Sequence, residues 1–493
     1  MNQSTSLETI VSLCKRRGFI YQGSEIYGGL AGTWDYGPLG VSLKRNILNL
    51  WWRMFVEERD DIYGVDAAIL MNQKVWQASG HVDTFSDPLV EDLVNHKRYR
   101  ADHLLKDQGI DSKGLTAQQL DELIKNNKIK SPDGNDLSSV RQFNMMFKTQ
   151  VGPTWTGWQA DGDNYLTGKI ESKSLSGEAL ADFTIDENRA FSEIIAFDKN
   201  AQSYLRPETA QGIFTNFSNI VDSFYPDLPF GIAQQGKAFR NEISPRDFIF
   251  RSREFEQMEI EYFVSPDNWQ ESFEMWRGLV WQWLEALGLD KASIHELEVP
   301  DSDRAHYSKR TIDFEYDFPI GREELLGLAY RTDFDLMNLQ SFSGKKQEYR
   351  PKNGDKAFTP HVIEPSFGVE RTIMAVLSGA YREDEVNGEK RAYLKLPINL
   401  APVRVAVSPL LKNKPELVDK AREVYVWLKK NYTAVMWDDN GNIGKRYRRQ
   451  DEIGTPFCVT IDFDSLKDDT VTVRLRDTTE QQRVKVDSLA KII

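Results

Sequence analysis

The chain has very little cysteine and histidine. Its 493 residues include only two cysteines, Cys14 and Cys458, and six histidines. Two cysteines so far apart argue against a disulfide framework and favour a reducing compartment. Because there is no cysteine cluster and no histidine pair at metal-ligand spacing, a cysteine-rich structural zinc site is excluded. We therefore expect no structural zinc.

Long apolar runs are also absent. No stretch of eighteen apolar residues occurs, and residues 1–8 are polar, so the sequence predicts neither a membrane-spanning helix nor a signal peptide. The length suits two or three domains with a large buried core. We expect a cytoplasmic protein that does not enter a membrane.

The chain also lacks the glycine-rich loops that hold nucleotide phosphates in parallel α/β folds. No convincing GxGxxG or GxxxxGK[ST] sequence occurs, so nothing supports a dinucleotide-binding or P-loop fold. No serine, cysteine or histidine stands out as a nucleophile or base. The chemistry-bearing residues that do form a pattern are arginines and carboxylates.

That pattern is clearest in residues 236–263, which are typical of two strands joined by a loop. Charged and aromatic residues lie two apart at the end of the first predicted strand and along the second: Arg240, Glu242, Arg251, Arg253, Phe255, Gln257 and Glu259. Residues two apart share one face of a strand. This face suits a triphosphate, a flat base and an ammonium group, although a solvated ribbon with salt bridges is the alternative.

Two further segments carry the same residue types. In Ser203–Phe214, Arg206 and Glu208 flank a proline that stiffens a turn before an apolar, helical run. In residues 363–377, an extended piece ends at Gly368 and a helix begins near Val369, which places Arg371 in its first turn. The helix dipole disfavours arginine there, so Arg371 indicates an anion partner or, alternatively, a surface ion pair.

Together these segments resemble the motifs of class II aminoacyl-tRNA synthetases. FRNE followed by RSREF is similar to motif 2, GVER to motif 3, and Gly28–Trp52 to motif 1. The sequences DYGPLG, YLRPETAQG, REFEQME and EPSFGVER narrow the resemblance to the homodimeric glycyl-tRNA synthetase family. The resemblance extends over nearly the whole chain and is weakest around residues 105–190.

The resemblance implies an α/β (α+β) protein. Its parts would be an antiparallel-sheet catalytic domain with an insertion and a C-terminal α/β anticodon-binding domain. We place the catalytic domain at residues 1–88 (with motif 1) and 191–395 (with motifs 2 and 3), the insertion at 89–190 and the anticodon-binding domain at 400–493. The last part contains 17 Lys and Arg against 14 Asp and Glu, whereas the whole chain has a net charge of −13. A basic module on an acidic body fits contact with RNA.

Three local features are predicted from the residues themselves. Apolar residues at helical spacing predict an amphipathic helix over residues 40–59, which the resemblance places at a dimer interface. Thr116–Gln119 is typical of a capping box that opens a short helix. Lys445, Arg446, Arg448 and Arg449 form a basic cluster that suits RNA contact, unless it is simply a solvated helix face.

The resemblance further implies that glycine is activated with ATP and Mg²⁺ and transferred to the 3′ end of tRNA(Gly), forming AMP and diphosphate. Arg240, Arg371 and Glu242 would be catalytic, with Arg240 on the α-phosphate and Phe255 stacked on adenine. The implied ATP-binding residues are Arg240, Asn241, Glu242, Phe250, Arg251, Ser252, Arg253, Glu254, Phe255, Glu324, Leu325, Gly368, Val369, Glu370 and Arg371.

The implied glycine pocket combines carboxylates with a serine hydroxyl. Its residues are Arg100, Glu208, Phe255, Glu256, Gln257, Met258, Glu259, Glu364, Pro365, Ser366, Phe367 and Gly368. Glu324 is the candidate Mg²⁺ ligand, with Asp313 and Glu315 as secondary candidates. Glu323 departs from the small or aromatic residue usual in the family, which puts the alignment of this element in doubt. Because no amino acid is smaller than glycine, we expect no editing domain.

Two alternatives remain open from the sequence. The first is another class II synthetase, such as a prolyl or threonyl enzyme, against which YLRPETAQG and DYGPLG argue. The second is a non-catalytic class II-like protein that binds nucleic acid. Relatives of that kind commonly lose the catalytic arginines, whereas Arg240, Arg251 and Arg371 are all present here.

Overall fold

A computed structural model describes residues 5–151, 159–161, 165–168, 183–186 and 202–493, apart from positions 113, 303, 306, 355 and 387. The implied insertion at 89–190 therefore lies partly outside the described residues. Among the described helices there is no candidate for a membrane span.

The described chain mixes helices with largely antiparallel strands. The helices are α1 Leu7–Arg17, α2 Pro38–Trp52, α3 Gln73–Ala78, α4 His81–Thr84, α5 Ala101–Lys106, α6 Ala117–Asn126, α7 Ala210–Phe214, α8 Phe217–Phe224, α9 Trp269–Ala286, α10 Phe334–Ser343, α11 Val369–Ala380, α12 Pro415–Asn431, α13 Ile443–Glu452 and α14 Ser465–Asp468. Short 3₁₀ turns occur at Glu25–Tyr27, Lys291–Ser293 and Val486–Lys491, and α2 continues as a π-helical turn over Arg53–Glu57.

The strands follow the same chain order. They are β1 Ile20–Gln22, β2 Trp34–Tyr36, β3 Ile62–Gly64, β4 Ser86–Glu91, β5 Arg98–Arg100, β6 Arg141–Asn144, β7 Lys148–Gln150, β8 Gln159–Asp161, β9 Tyr165–Gly168, β10 Phe183–Asp186, β11 Gln202–Tyr204, β12 Phe230–Phe239, β13 Glu254–Val264, β14 Ile294–Glu298, β15 Arg310–Phe318, β16 Gly321–Thr332, β17 His361–Gly368, β18 Tyr381–Val386, β19 Glu389–Leu394, β20 Val405–Pro409, β21 Val435–Trp437, β22 Phe457–Ile461, β23 Thr470–Leu475 and β24 Gln481–Lys485.

A seven-stranded sheet forms the centre of the described chain, in the order β14-β15-β16-β17-β13-β12-β3. Every neighbouring pair is antiparallel except β12 and β3, which run parallel. Helices α2, α9 and α11 pack on this sheet, and their apolar side chains join one core with the strands. The strand that ends at Gly368 and the helix that begins at Val369 are confirmed.

The β12–β13 hairpin contains the patterned segment, but its strands are shorter than the sequence predicts. The connecting loop holds the four charged residues that the sequence placed on strands: Arg240, Glu242, Arg251 and Arg253. The loop turns at Asp247 and Phe248, whose φ angles of 60° and 58° belong to left-handed backbone that cannot continue a ladder. Phe255, Gln257 and Glu259 do alternate along β13, as predicted.

Helix α2 begins two residues earlier than the spacing predicts. Pro38 occupies the first helical position, where its missing N–H costs nothing, instead of preceding the helix. Gly40 lies within the first turn of the helix, at a position that has no room for a side chain because another part of the chain passes very close to it. A Cβ on Gly40 would lie 1.9 Å from the carbonyl oxygen of Phe19. Helix α2 then continues into the π-helical turn over Arg53–Glu57, which ends two residues before the predicted end at residue 59.

The described part of the implied insertion includes a small sheet and two helices. Strands β5, β4 and β6 pair in that order, and α5 and α6 share an apolar cluster with β4. The predicted capping box at α6 is confirmed: Thr116 accepts from the backbone N–H of Gln119, whose side chain accepts from the backbone N–H of Thr116.

The C-terminal part has its own core. Strands β21, β20 and β22 run parallel, β23 and β24 complete the sheet antiparallel, and α12 packs against them. Its alternating strands and helices agree with the predicted α/β module, although the sequence did not distinguish β24.

The basic cluster on α13 is less exposed than its sequence suggests. Arg446 is buried and donates to the carbonyl oxygens of Gly441 and Pro409, so it is structural. Arg449 pairs with Asp438 at 2.6 Å, and Arg448 pairs with Glu389 at 3.3 Å. Both predictions for the cluster are therefore wrong for Arg446: it does not lie on a solvated helix face, and it is too buried to contact RNA.

Removing the Trp276 side chain from α9 should destabilise the chain by about 3–5 kcal/mol, because a large buried ring leaves a cavity. The ring lies between Phe55 and Tyr262, at centroid distances of 5.8 and 5.3 Å. Met275 on the same helix is exposed, so Met275→Ala should cost about 0.5 kcal/mol or less. Urea unfolding measures both, and equal midpoints for Trp276→Ala and Met275→Ala would contradict this packing.

Candidate active site

A cavity of about 460 Å³ lies over the central sheet, between β13, β16 and β17 and the loop that joins β12 to β13. Most of the implied site residues line it. They are Arg100, Glu208, Arg240, Glu242, Phe250, Arg251, Ser252, Phe255, Gln257, Glu259, Glu324, Leu325, Glu364, Ser366, Gly368, Glu370 and Arg371. Residues implied separately for ATP and for glycine thus meet in one space.

The other implied residues do not line the cavity: Asn241, Arg253, Glu254, Glu256, Met258, Pro365, Phe367 and Val369. Strand alternation explains why five of them do not line the cavity. Those on β13 and β17 alternate with the cavity-lining residues of the same strands and so lie on the opposite face: Glu254, Glu256, Met258, Pro365 and Phe367. Glu256 pairs with Lys44 at 2.5 Å. Met258 and Phe367 are fully buried in the core beneath the sheet. Resemblance had assigned an unbroken run of residues where a strand presents only every second one.

Arg253 does not reach the cavity either. Its guanidinium donates to the carbonyl oxygens of Glu242 at 3.0 Å and of Ala31 at 3.0 Å. Its own backbone N–H donates to the carbonyl of Gly32 at 2.7 Å. Arg253 therefore ties the loop to the segment before α2, and the structure does not bring it to the place implied for ATP.

Three arginines line one end of the cavity, and two of them have aromatic neighbours. The Arg240 guanidinium lies 5.2 Å from the ring centre of Phe255 and 5.5 Å from that of Phe85, and its Nε donates to the carbonyl of Pro207. Arg371 lies 4.5 Å from the ring centre of Phe250. Planar guanidinium groups stacked on rings are oriented in advance for bidentate contact with phosphate.

The third of these arginines, Arg251, faces a carboxylate. Its Nη1 lies 3.5 Å from Glu242 Oε2, a long contact for an ion pair. Glu242 also accepts Arg253 through its backbone carbonyl, so the two ends of the loop are tied to each other. Arg251 and Glu242 therefore face each other across the loop, and neither residue lies on a strand.

The carboxylates of Glu324 and Asp313 lie beside Arg371. Arg371 Nη1 is 3.0 Å from Glu324 Oε2 and lowers the pKa of Glu324 against the effect of burial. Burial next to Glu324 and Glu315 raises the pKa of Asp313 to about 7. A Cβ on Gly327 would lie 3.8 Å from Asp313 Oδ1 and 3.9 Å from Glu324 Oε1. Two carboxylates around a glycine that leaves space fit a hard cation such as Mg²⁺.

The other end of the cavity is acidic and deeper. Glu259 is almost completely buried; one carboxylate oxygen accepts from Thr209 Oγ1 and the other from Ser366 Oγ at 2.8 Å. Glu208 and Glu364 line the same end. Three carboxylates and a hydroxyl around so little space are suited to an ammonium group, which needs several acceptors.

Arg206 positions this acidic end without entering it. Its buried guanidinium donates to the carbonyls of Lys237 and Ala67, at 2.6 and 2.8 Å. Gly236 leaves room for it: a Cβ there would lie 2.2 Å from Arg206 Nη2. The stiff turn predicted at Arg206–Glu208 is thus fastened to β12, and Glu208 is held at the cavity.

Comparison with known proteins agrees with this architecture. The family model of the class II tRNA synthetase core domain (G, H, P, S and T) matches residues 191–380, and that of the anticodon binding domain matches residues 404–493. The glycine–tRNA ligase of Deinococcus radiodurans is 45% identical over 99% of this chain and 98% of its own length. Those of Caldanaerobacter subterraneus subsp. tengcongensis and Thermus thermophilus are 44% and 43% identical, over 100% and 99% of this chain and 99% and 98% of their own lengths.

This chain belongs to the glycine–tRNA ligase family. The class II fold that the sequence implied, with an antiparallel-sheet core and an anticodon-binding domain, is confirmed.

The sequence of this glycine–tRNA ligase family member did not single out Arg331, a buried arginine that pairs with Glu364 at the acidic end of the cavity. Its side chain is 2% exposed, donates to Asp335 at 2.8 and 2.9 Å and to Glu364 at 2.9 Å, and lies 3.9 Å from the ring centre of Tyr307. The sequence did contain a signal for it, since Arg331 ends the apolar run GLAYR. An arginine in such a run is predicted to be buried, and a buried charge requires a buried partner.

Arg331 does not neutralise all the carboxylates around it. Glu261 is completely buried, and within the described part of the chain neither of its carboxylate oxygens has a hydrogen-bond partner. Oxygens of Glu261, Glu259 and Glu364 lie within 4.8 Å of one another. Burial, helped by Glu259 and Glu208 and opposed by Arg331, raises the pKa of Glu364 to about 8. Burial next to Glu364 likewise raises the pKa of Glu261 well above its usual value.

Glu261→Gln should stabilise the folded chain at high pH. A carboxyl with a raised pKa keeps its proton in the folded state and loses it in the unfolded state near pH 4.3, so wild type loses stability as the pH rises above that value. Glutamine has no proton to lose. The stability of the variant relative to wild type should therefore increase between about pH 5 and pH 8, as measured by urea unfolding. A difference that is independent of pH would show that Glu261 is ionised in the folded protein.

Proposed function

We propose that this chain activates glycine with ATP and then transfers the glycyl group to the 3′ end of tRNA(Gly), with AMP and diphosphate as the other products. The observation that carries the proposal is the meeting of two unlike ends in one cavity. One end has several carboxylates, which suit an ammonium group, and the other has arginines on aromatic rings, which suit phosphate. Membership of the glycine–tRNA ligase family supports it.

The first step needs positive charge more than it needs a base. A carboxylate oxygen of glycine attacks the α-phosphorus of ATP, a new O–P bond forms, and the bond to diphosphate breaks. Because the glycine carboxylate is already ionised at neutral pH, no side chain has to remove a proton. The barrier comes from bringing two anions together and from charge in a crowded transition state, and preorganised cations lower both.

The arginines of the cavity would provide that charge. We propose that Arg240 contacts the α-phosphate and the attacking carboxylate, since it lines the cavity and its guanidinium lies beside the rings of Phe255 and Phe85. Arg251 and Arg371 would bind the outer phosphates. Both have carboxylate partners, at 3.5 and 3.0 Å, which ATP would displace or share.

Glu324, with Asp313 beside it, would hold Mg²⁺ bound to ATP. The cation would supply positive charge at the outer phosphate oxygens. Glu324 is kept ionised by Arg371, which suits a metal ligand. Asp313 is held partly protonated at neutral pH by the same crowding that a cation would relieve.

Glycine itself would bind at the acidic end. We propose that Glu208, Glu259 and Glu364 contact its ammonium group, with Ser366 as a further polar contact. Glycine has no side chain that the pocket could contact. Contact with one methylene group would in any case discriminate between two amino acids by only about 1–3 kcal/mol. Selection must therefore be steric: the pocket is filled, so that the side chain of alanine clashes.

The remaining parts of the enzyme would serve the tRNA. We propose that residues 400–493 bind the anticodon region, that 1–88 and 191–395 form the catalytic domain, and that 89–190 form an insertion which contacts the acceptor stem.

We also propose a homodimer with α2 at its interface and a cytoplasmic location. The exposed side chains of Ile26, Tyr27 and Leu30, just before α2, are consistent with a subunit contact there.

Substitutions of two glutamates on opposite faces of β13 test which face binds glycine. Glu259→Gln should raise the KM for glycine about tenfold or more, because it removes a buried charge facing the ammonium group, and should leave the KM for ATP nearly unchanged. Glu256→Gln, on the opposite face beside Lys44, should not raise the KM for glycine. If Glu256→Gln had the larger effect, the face assignment would be wrong.

ATP–diphosphate exchange with each amino acid separately tests the proposed activity, using wild type and Arg240→Ala. We expect exchange with glycine alone, and a loss of about a hundredfold or more in the variant. Exchange with another amino acid would keep the class and overturn the substrate. No exchange from folded protein, even with tRNA present, would favour the non-catalytic nucleic-acid-binding alternative.

A further inference from the structure

His81 lies next to the acidic end of the cavity, although neither the motifs nor the implied site residues include it. Its Nε2 is 3.4 Å from Glu208 Oε2, and its side chain is 14% exposed. His81 begins the short helix α4, far from Glu208 in the sequence. It is not among the residues that line the cavity, so it can reach a bound substrate only through Glu208.

The imidazole ring is held on every side by neighbouring groups. Its Nδ1 lies 2.8 Å from Ser79 Oγ, and Ser79 Oγ is 3.4 Å from the carbonyl oxygen of Trp76. The ring lies edge-on to Trp76, with centroids 5.6 Å apart, and 5.4 Å from Phe85. The backbone carbonyl of His81 accepts from the Asn144 side chain at 3.3 Å. The direction of Nε2 is therefore set by packing and hydrogen bonds together.

These contacts determine what Nε2 does. A carboxylate oxygen only accepts hydrogen bonds, so the nitrogen that faces Glu208 must carry a hydrogen. The serine hydroxyl can accept from Nδ1 or donate to it, so either the neutral or the charged ring fits. In both cases the hydrogen on Nε2 faces one oxygen of Glu208 across an ion-pair contact of 3.4 Å, while Gln211 Nε2 lies 3.4 Å from the other oxygen.

The electrostatics of Glu208 agree with this geometry. Burial would raise the pKa of Glu208, but the charge and hydrogen bond of His81, with Arg331 and Arg240, lower it to about 2. At the acidic end, Glu208 is thus held ionised before substrate binds, whereas Glu364 has a raised pKa.

We propose that His81 is a positioning residue for the amino acid substrate: its Nε2–H holds the Glu208 carboxylate in one orientation, with an ionised oxygen directed to the ammonium group. The ring packs against Phe85, which also contacts Arg240, so one short segment supports both ends of the site. This inference rests on the proposed function, because it takes the ammonium of glycine as the partner of Glu208.

Two substitutions at one position separate this role from simple packing. The amide nitrogen of glutamine can take the place of Nε2, whereas that of asparagine corresponds to Nδ1 and reaches Ser79 but not Glu208. His81→Asn should raise the KM for glycine about tenfold in ATP–diphosphate exchange, with the KM for ATP unchanged. His81→Gln should stay within about threefold of wild type. His96→Asn, at a histidine with a 76% exposed side chain, is the control and should resemble wild type.

A Glu208→Gln background provides the second readout. If His81 acts through Glu208, the effects of His81→Asn and Glu208→Gln on the KM for glycine should not multiply in the double variant. Equal KM values for glycine in His81→Asn and His81→Gln would overturn the proposal. So would a His81→Asn effect that multiplies with that of Glu208→Gln, or one that raises the KM for ATP equally. If wild type exchanges with another amino acid, the proposed function fails, and the same comparison made with that amino acid still decides the role of His81.

Discussion

The architecture of the site depends on one buried cation. Arg331 donates to Asp335 and Glu364 from a position with almost no solvent, and without it these carboxylates could not be packed together at low dielectric. One guanidinium is nevertheless too little charge for all the carboxylates nearby, since Glu261 and Glu259 are buried there as well. Glu261 and Glu364 therefore have raised pKa values, and a substrate ammonium group would supply positive charge that favours ionised carboxylates there.

The two ends of the cavity are held in a fixed relation by the sheet. Phe255 and Glu259 lie on one face of β13, four residues and therefore about 13 Å apart. On the neighbouring strand, Glu364 and Ser366 face the same cavity, and the chain continues directly into the helix with Arg371 in its first turn. The proposed phosphate and amino acid sites would consequently share the rigidity of two hydrogen-bonded strands, as a reaction between two anions requires.

Much of this site could be predicted from the sequence, because strand periodicity is local. The alternation of Phe255 and Glu259 indicated one face of a strand, and the structure places both at the cavity. Arg253 has the same spacing but lies in the loop, where periodicity carries no information about direction. Arg331 and His81 were not found, because their importance comes from contacts with residues distant in the sequence. Resemblance to a family identifies aligned motifs, and it does not show which residues outside them support the motif side chains.

A crystal structure with glycine and a non-hydrolysable ATP analogue tests the central claim most directly, namely that one cavity binds an ammonium group at its acidic end and phosphate at its arginine end. The account predicts the glycine ammonium within hydrogen-bond distance of Glu208 and Glu259, and the α-phosphate beside Arg240. Glycine bound elsewhere, or an ammonium group directed away from both carboxylates, would contradict it.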